Sequence, residues 1–222
     1  MTDARGKSGG QVASKNKAGA YIRRISMPSN PSTVEQQTAR AAFSAVASAW
    51  SDLDEDERNS WNAYASTRDF VNVWGEAYKG SGKQAFQSCN SALLNIGKTI
   101  RTQVPVRPAP AAIIMTSLVI NPDDEEITLS FFGNVTTTET IVIEATAPLS
   151  AGTYNAKSKF AKITSKTGST LPTAGELWDA YVAKYGVPTE GKSIQLQAYK
   201  VSAEGLISAR SSQRAIVPAT TP

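Results

Sequence analysis

The apolar side chains of this chain change their period once, and that change limits the fold more than any other feature. Between residues 32 and 96 they recur every three to four positions, the spacing of one helix face. Beyond residue 113 they recur every second position, the spacing of a half-buried strand. Between the two lies 104–112, VPVRPAPAA, with three prolines in six positions. Proline removes a backbone donor and clashes with a preceding helical turn, so this stretch reads as an extended linker. The expected division is an arm at 1–31, a helical module at 32–103, the linker at 104–112, a β-domain at 113–217 and a tail at 218–222.

In the helical module, Ser32 and Glu35 have capping-box spacing. From there Ala39, Ala42, Phe43, Val46, Ala47 and Trp50 form one apolar stripe that reaches about Leu53. Asp54 and Glu57 repeat the cap and open a second helix bearing Trp61, Tyr64 and Ala65. Phe70, Val71, Val73 and Trp74 form a further apolar cluster. A third helix is predicted over Lys83–Ile96, with Phe86, Cys89, Leu93 and Ile96 on one face and Gly97 as its stop.

In the β-domain, Ile127, Leu129 and Phe131 alternate with polar residues. Ile141, Ile143 and Ala145 alternate with Val142, Glu144 and Thr146, and Ile194, Leu196 and Ala198 alternate with glutamines. Leu206–Val217 supplies a last strand. Turn-forming Asn, Asp, Gly and Pro separate these runs, which indicates an antiparallel sandwich. One helix, Ala174–Tyr185, interrupts them, with Leu177, Trp178, Tyr181 and Val182 on one face and Gly186 as its cap. The fold class read from the sequence is α+β: a basic extended N-terminal arm, a small helical module, and a β-sandwich with an inserted helix.

Charge is distributed unevenly. Residues 1–31 hold Arg5, Lys7, Lys15, Lys17, Arg23 and Arg24 against Asp3, six bases to one acid and a net of +5. The rest of the chain holds 17 bases and 18 acids, a net of −1. The arm is also poor in apolar residues, which predicts a flexible segment. Its six basic side chains are the candidate binding residues. They suit phosphate neutralisation, docking on acidic neighbouring subunits, or plain solvation.

Catalytic signals are sparse. Histidine is absent, which removes the commonest general base and the Ser-His and Cys-His nucleophile pairs. Gly6-Lys7-Ser8 and Gly82-Lys83 echo a phosphate-binding loop without its upstream glycine. The acids Asp52, Asp54, Glu55, Asp56 and Glu57 lack the central glycine and closing glutamate of a calcium loop, and suit a helix N-terminus. Cys89 reads as a packing residue, and Trp50, Trp61, Trp74 and Tyr64 as core. Glu139, Glu144 and Glu176 are the carboxylates a sandwich glycosidase would draw on. No catalytic residue, metal site or cofactor is expected. No segment reaches membrane-spanning length, the N-terminal ten residues lack the apolar run of a secretory signal, and the single cysteine suits synthesis in a cytoplasm.

Two resemblances add to this. Phe43, Trp50, Leu53, Arg58, Trp61, Tyr64 and Ala65 resemble an HMG-box segment. Residues 32–78, however, hold three bases against eight acids, a net of −5, which repels phosphate, so only the shape carries over. Gly6-Lys7-x-Gly9-Gly10, Tyr21-x-Arg23, Asn30-Pro31-x-Thr33, then Gln37, Arg40, Phe43, Trp50, Leu53, Arg58 and Trp61 are similar to a group of phage and prophage proteins of uncharacterised function. Pro148–Gly152 and the strand-forming end resemble the fibronectin type III-like domain found in such proteins. The resemblance implies a virion structural protein, either a capsid-associated decoration or minor head protein or a head–tail junction component. It would act through protein–protein contacts with capsid, portal or neck subunits in a symmetric homo- or hetero-oligomer, its arm ordering on assembly. It would be made in the host cytoplasm and reside in the virion, without membrane contact. The alternative is a DNA-binding packaging or architectural protein that uses the arm on phage DNA.

Overall fold

The computed structural model describes residues 5–16, 19–26, 30–72 and 75–219. It is a mixed helical and sheet protein with antiparallel sheets throughout. The chain divides into two compact units, residues 1–40 and 41–222.

In the first unit the extended arm expected from the sequence is organised as strands. Strands β1 (Gly6–Ser8), β2 (Gln11–Asn16) and β3 (Gly19–Arg24) form a three-stranded antiparallel meander. Ser8 pairs with Gln11 across Gly9-Gly10, and Gly9 takes φ +53°, a conformation glycine adopts without steric cost. The Ile25 amide donates to the Gly10 carbonyl at 2.8 Å and extends the ladder. Sequence reasoning missed these strands because their residues do not alternate in polarity. Lys17, in the predicted arm, and the turn residues Met27 and Pro28 lie outside the described residues, as do Val73 and Trp74 of the predicted apolar cluster.

Helix α1 (Val34–Asp52) follows. Its cap is Thr33, not Ser32: Thr33 Oγ1 accepts from the Gln36 amide at 3.3 Å. Much of the predicted stripe on α1 is not buried, and Phe43 stands 61% exposed while Val46 is fully covered. Helix α2 (Glu55–Thr67) opens on the Asp54–Glu57 capping box read from the sequence. A short hairpin follows, β4 (Asp69–Val71) with β5 (Ala77–Lys79). Helix α3 (Gly82–Asn95) carries a second capping box, Ser81 with Gln84. α2 and α3 approach so closely at Gly82 that an added Cβ would sit 2.7 Å from the Asn62 amide nitrogen.

Trp61, Phe86, Cys89, Val46, Leu53, Ala65 and Ala85 make the core of these helices, with Leu206 from the distant C-terminal region. Trp61 and Phe86 meet edge to face at 5.2 Å, a favoured geometry for aromatic quadrupoles.

The β-domain comprises β6 (Ile114–Asn121), β7 (Glu126–Phe132), β8 (Thr140–Ala145), β9 (Ala161–Thr167), α4 (Ala174–Tyr185), β10 (Ser193–Val201) and β11 (Ser211–Ile216). Four strands form a sheet in the order β11-β10-β8-β9, and β6 and β7 form a separate hairpin. The last strand is shorter than the predicted Leu206–Val217. Residues 202–206 form a turn, Ile207 makes an isolated bridge to Val201, and the continuous ladder with β10 is confined to Ser211–Ile216.

Strand alternation assigns the two faces of that sheet. Ile141, Ile143, Ala145, Ile194, Leu196 and Ala198 pack with Met115, Ile120 and Ile127 of the hairpin and with Leu177, Trp178 and Tyr181 of α4. Val142, Tyr199 and Val201 face the other way, onto Ala92 of α3. β10 is therefore buried on both faces, glutamines included, where one solvated face was expected.

The Pro-rich linker does run between helices and strands, but the interiors on its two sides are continuous. Residues 41–222 form one compact unit. The side-chain amide of Asn90 donates to the Phe86 and Arg101 carbonyls, and its oxygen accepts from the Arg101 amide at 2.7 Å. Glu204 accepts from the Val106 and Arg107 amides, each at 3.0 Å, and pairs with Arg101. A linker whose donors are satisfied in this way is held against the body.

Lys200 is buried within the sheet, 3% exposed. Its ammonium donates to the Asn134 carbonyl at 2.8 Å and to Glu139 at 3.1 Å, the pairing a buried charge requires. Burial alone would push the Glu139 carboxyl up, but the Thr136 amide and Lys200 outweigh it and hold the carboxyl below its ordinary value of 4.5. Glu204 is lowered likewise: burial is outweighed by the Arg107 and Val106 amides and Arg101. A carboxyl depressed on folding contributes stability that is present above its unfolded pKa and lost as pH falls through the folded one. Urea midpoints should therefore decline from about pH 4.3 downward. The advantage of wild type over E139Q should shrink across the same window. An E139Q difference independent of pH would sink this assignment.

Candidate functional site

The predicted binding residues lie on the meander, and its register sorts them. Lys7 pairs with Val12, which pairs with Arg23, so these share one face, and Tyr21 lies two residues from Arg23 on that face. Ser8, Gln11 and Arg24 align on the opposite face, together with Ile22 and Lys15. Arg5 immediately precedes β1. The register thus puts Lys7 and Arg23 on one face, on the strands either side of β2, and Arg24 and Lys15 on the other. Tyr21 and Ile22 are exposed, at 41% and 68%. A hollow of about 540 Å³ opens between the Gly9-Gly10 turn and Ile22, Arg23 and Arg24.

A second surface was missed in the sequence. Phe43, Phe70 and Tyr78 line an apolar groove of about 540 Å³ against the α3 residues Gln84 and Gln87. Phe70 and Tyr78 pair across β4 and β5 with ring centroids 5.8 Å apart. Val71 beside them is 65% exposed. The helical spacing of Phe43 pointed to core. Only its exposure in the folded chain reveals a surface, since periodicity cannot say what an apolar face meets.

The remaining candidates resolve into structural roles. Gly6-Lys7-Ser8 forms a strand, not the turn before a helix that a phosphate loop requires. The acids from Asp54 to Glu57 occupy the start of α2, where the helix dipole favours them. Cys89 is buried, and burial pushes its thiol up to about 11 although Arg68 opposes this. Trp50 and Trp61 both pack on Phe86. Among the described residues no group of three or more His, Cys, Asp and Glu side chains is gathered as a metal ion would need.

Glu139, Glu144 and Glu176 each have a cation of their own. Glu139 holds Lys200, Glu176 holds Lys166 at 2.8 Å, and Glu144 lies 3.5 Å from Arg210. Glu144 also accepts from Gln197 and, at 3.1 Å, from Tyr199, while Arg210 lies over the Tyr199 ring at 4.6 Å. Burial, reinforced by Glu144, pushes the Tyr199 phenol well above its usual range, so it acts as a hydrogen-bond donor. This cluster ties β8, β10 and the segment before β11 together.

The fold is that of an α+β protein, and its exposed surfaces include a basic sheet and an apolar groove. No family model, curated protein or solved structure matches the chain. Among the described residues no helix is long and apolar enough to cross a membrane.

Proposed function

We propose that this protein is an assembly component of a phage virion, at the capsid surface or the head–tail junction, acting through protein–protein contacts of its N-terminal meander. The observation that carries this reading is the meander itself. It is a three-stranded sheet whose strands present mostly exposed residues on both faces. Small sheets hold together in water when a hydrophobic face is covered, and exposed strands with open edges are templates for a partner. In this reading the meander reaches its stable form when a neighbouring subunit covers it.

The β-domain supports a fibronectin type III-like assignment. The order β11-β10-β8-β9 matches the G-F-C-C′ sheet of such sandwiches, with β6 and β7 in the places of A and B. α4 then takes the place of the strand that would extend the second sheet. The HMG-box likeness rests on the α1–α2 aromatic pattern alone and adds a shape, not a role.

The alternative, DNA binding through the same basic residues, has the Lys7–Arg23–Tyr21 face in its favour. One face of an intact meander offers two or three cations, not six. A log–log salt slope of about −2 to −3 would then be the most such a face could give.

Removing residues 1–26 should abolish incorporation into particles while the remaining chain keeps its cooperative thermal transition. Co-purification of the truncated protein with particles at wild-type stoichiometry, measured by mass spectrometry, would overturn the assembly reading. A salt-sensitive gel shift by the full chain with no incorporation defect on truncation would favour the DNA reading instead.

A further inference from the structure

We infer that the β-domain carries a binding surface for single-stranded nucleic acid, on the face of its four-stranded sheet turned away from the β6–β7 hairpin. The surface lies within residues 41–222 and acts whether or not the meander docks on a neighbouring subunit. The slight negative balance of the chain beyond residue 31 conceals it. Residues 145–175 hold Lys157, Lys159, Lys162 and Lys166 and no acid, and residues 205–222 hold Arg210 and Arg214 and no acid. Glu144 is the one acid in the strands β11, β10, β8 and β9, and Gln197, Tyr199 and Arg210 already engage it.

Strand register gathers the cations. Arg214 pairs with Gln195, and Ser212 with Gln197, whose partner on β8 is Glu144, so Arg214, Ser212 and Glu144 share this face. Arg210, just before β11, reaches it too, over the Tyr199 ring at 4.6 Å and beside Glu144 at 3.5 Å. Four residues of extended chain set the two arginines about 13 Å apart, with exposed Ser212 between them. Among the described residues Arg214 pairs with no carboxylate: it donates to Ser193 Oγ at 2.7 Å and to the Ala151 carbonyl. Its guanidinium lies over the Tyr154 ring at 4.5 Å, and Tyr154 is 76% exposed.

Tyr154 is held as a platform. Gln195 donates to the Thr153 and Tyr154 carbonyls, Ala156 is buried, and the Lys159 amide closes a turn on the Ala156 carbonyl at 2.8 Å. One side of the ring rests on the guanidinium, and the other is open to a base. An aromatic ring beside cations that can follow a phosphate backbone is how single strands are bound without sequence preference. Lys157 and Lys159, exposed on the same turn, extend the line of charge. An acidic polypeptide would answer the cations but leave the open ring without a stacking partner.

The test titrates a fluorescently labelled oligothymidylate with the full-length protein and reads anisotropy across a salt series. Wild type should bind, more weakly as salt rises. Y154A should weaken binding about tenfold and leave the salt slope unchanged, the signature of one lost stacking contact. K157A/K159A should make the log–log slope shallower by about 1.4, the share of two phosphates on a single strand. Both variants change exposed side chains and should keep the wild-type thermal transition. If both bind as wild type does and the loss is confined to R23A/R24A, the contact belongs to the meander and the inference is overturned. Loss in K157A/K159A with Y154A unaffected overturns it as well, as does polyglutamate binding as tightly as the oligonucleotide. Either of those results points to an acidic protein partner. Absence of binding at low salt also ends it.

Discussion

Replacing Trp61 with alanine should destabilise residues 41–222 by about 3–5 kcal/mol, the range for removing a buried tryptophan. The indole is 1% exposed and meets Phe86 and Tyr64 edge to face at 5.2 and 5.8 Å. Its N–H donates to the Thr102 carbonyl. Truncation would open a cavity at the centre of the helices and leave that carbonyl unpaired. W61F, which keeps an aromatic ring and loses the donor, should cost less, and the difference isolates the hydrogen bond and the remaining volume. The sharper expectation concerns cooperativity. Leu206 lies in the same core as Trp61, and Ala92 of α3 packs on Val142 and Tyr199 of the sheet. W61A should therefore shift one urea transition seen identically by far-UV circular dichroism and tryptophan fluorescence. Helices that melt separately, leaving the sheet intact, would show that the two halves are independent domains.

Gly205→Ala should cost about 3 kcal/mol, from two sources that add at one residue. Gly205 sits at φ +83°, where a side chain is strained. An added Cβ would also lie 2.3 Å from the Cys89 carbonyl oxygen and 2.8 Å from the Cys89 carbonyl carbon. Both are backbone atoms of α3, so neither can swing aside. Gly191 provides the control. It has φ +69° and nothing within 4 Å of its would-be Cβ. Gly191→Ala should show the conformational contribution alone, about 1 kcal/mol. Equal losses at the two glycines, read from urea midpoints, would show that the turn at 202–206 does not lean on α3.

That turn explains why the linker misled the domain division. Pro105, Pro108 and Pro110 rightly exclude a helix, and the segment is extended. Glu204 holds it by accepting from the Val106 and Arg107 amides within it, and Asn90 binds the Arg101 backbone just before it. Glu204 and Val106 stand 98 residues apart, and no local pattern encodes such a bond. The same applies to β10. Ile194, Leu196 and Ala198 announced one buried face, while Gln195 and Gln197 suggested water on the other. α3 and the Thr153–Tyr154 loop cover that second face, and Gln195 donates to both carbonyls of the loop. The meander was illegible for a different reason. Strand reading depends on alternation, and a sheet exposed on both sides has none.

What the sequence by itself determined is whatever depends on neighbours a few residues apart. The cap at Asp54, the α4 span, the strand phase of Ile141–Ala145 and the charge asymmetry of the first 31 residues all follow from local spacing. The tertiary structure alone decided which apolar faces were covered. Val46 is enclosed while Phe43, three residues away and one helical turn along the same stripe, is left open. Burial depends on where distant segments of the chain come to rest, and periodicity records only which side of an element is apolar.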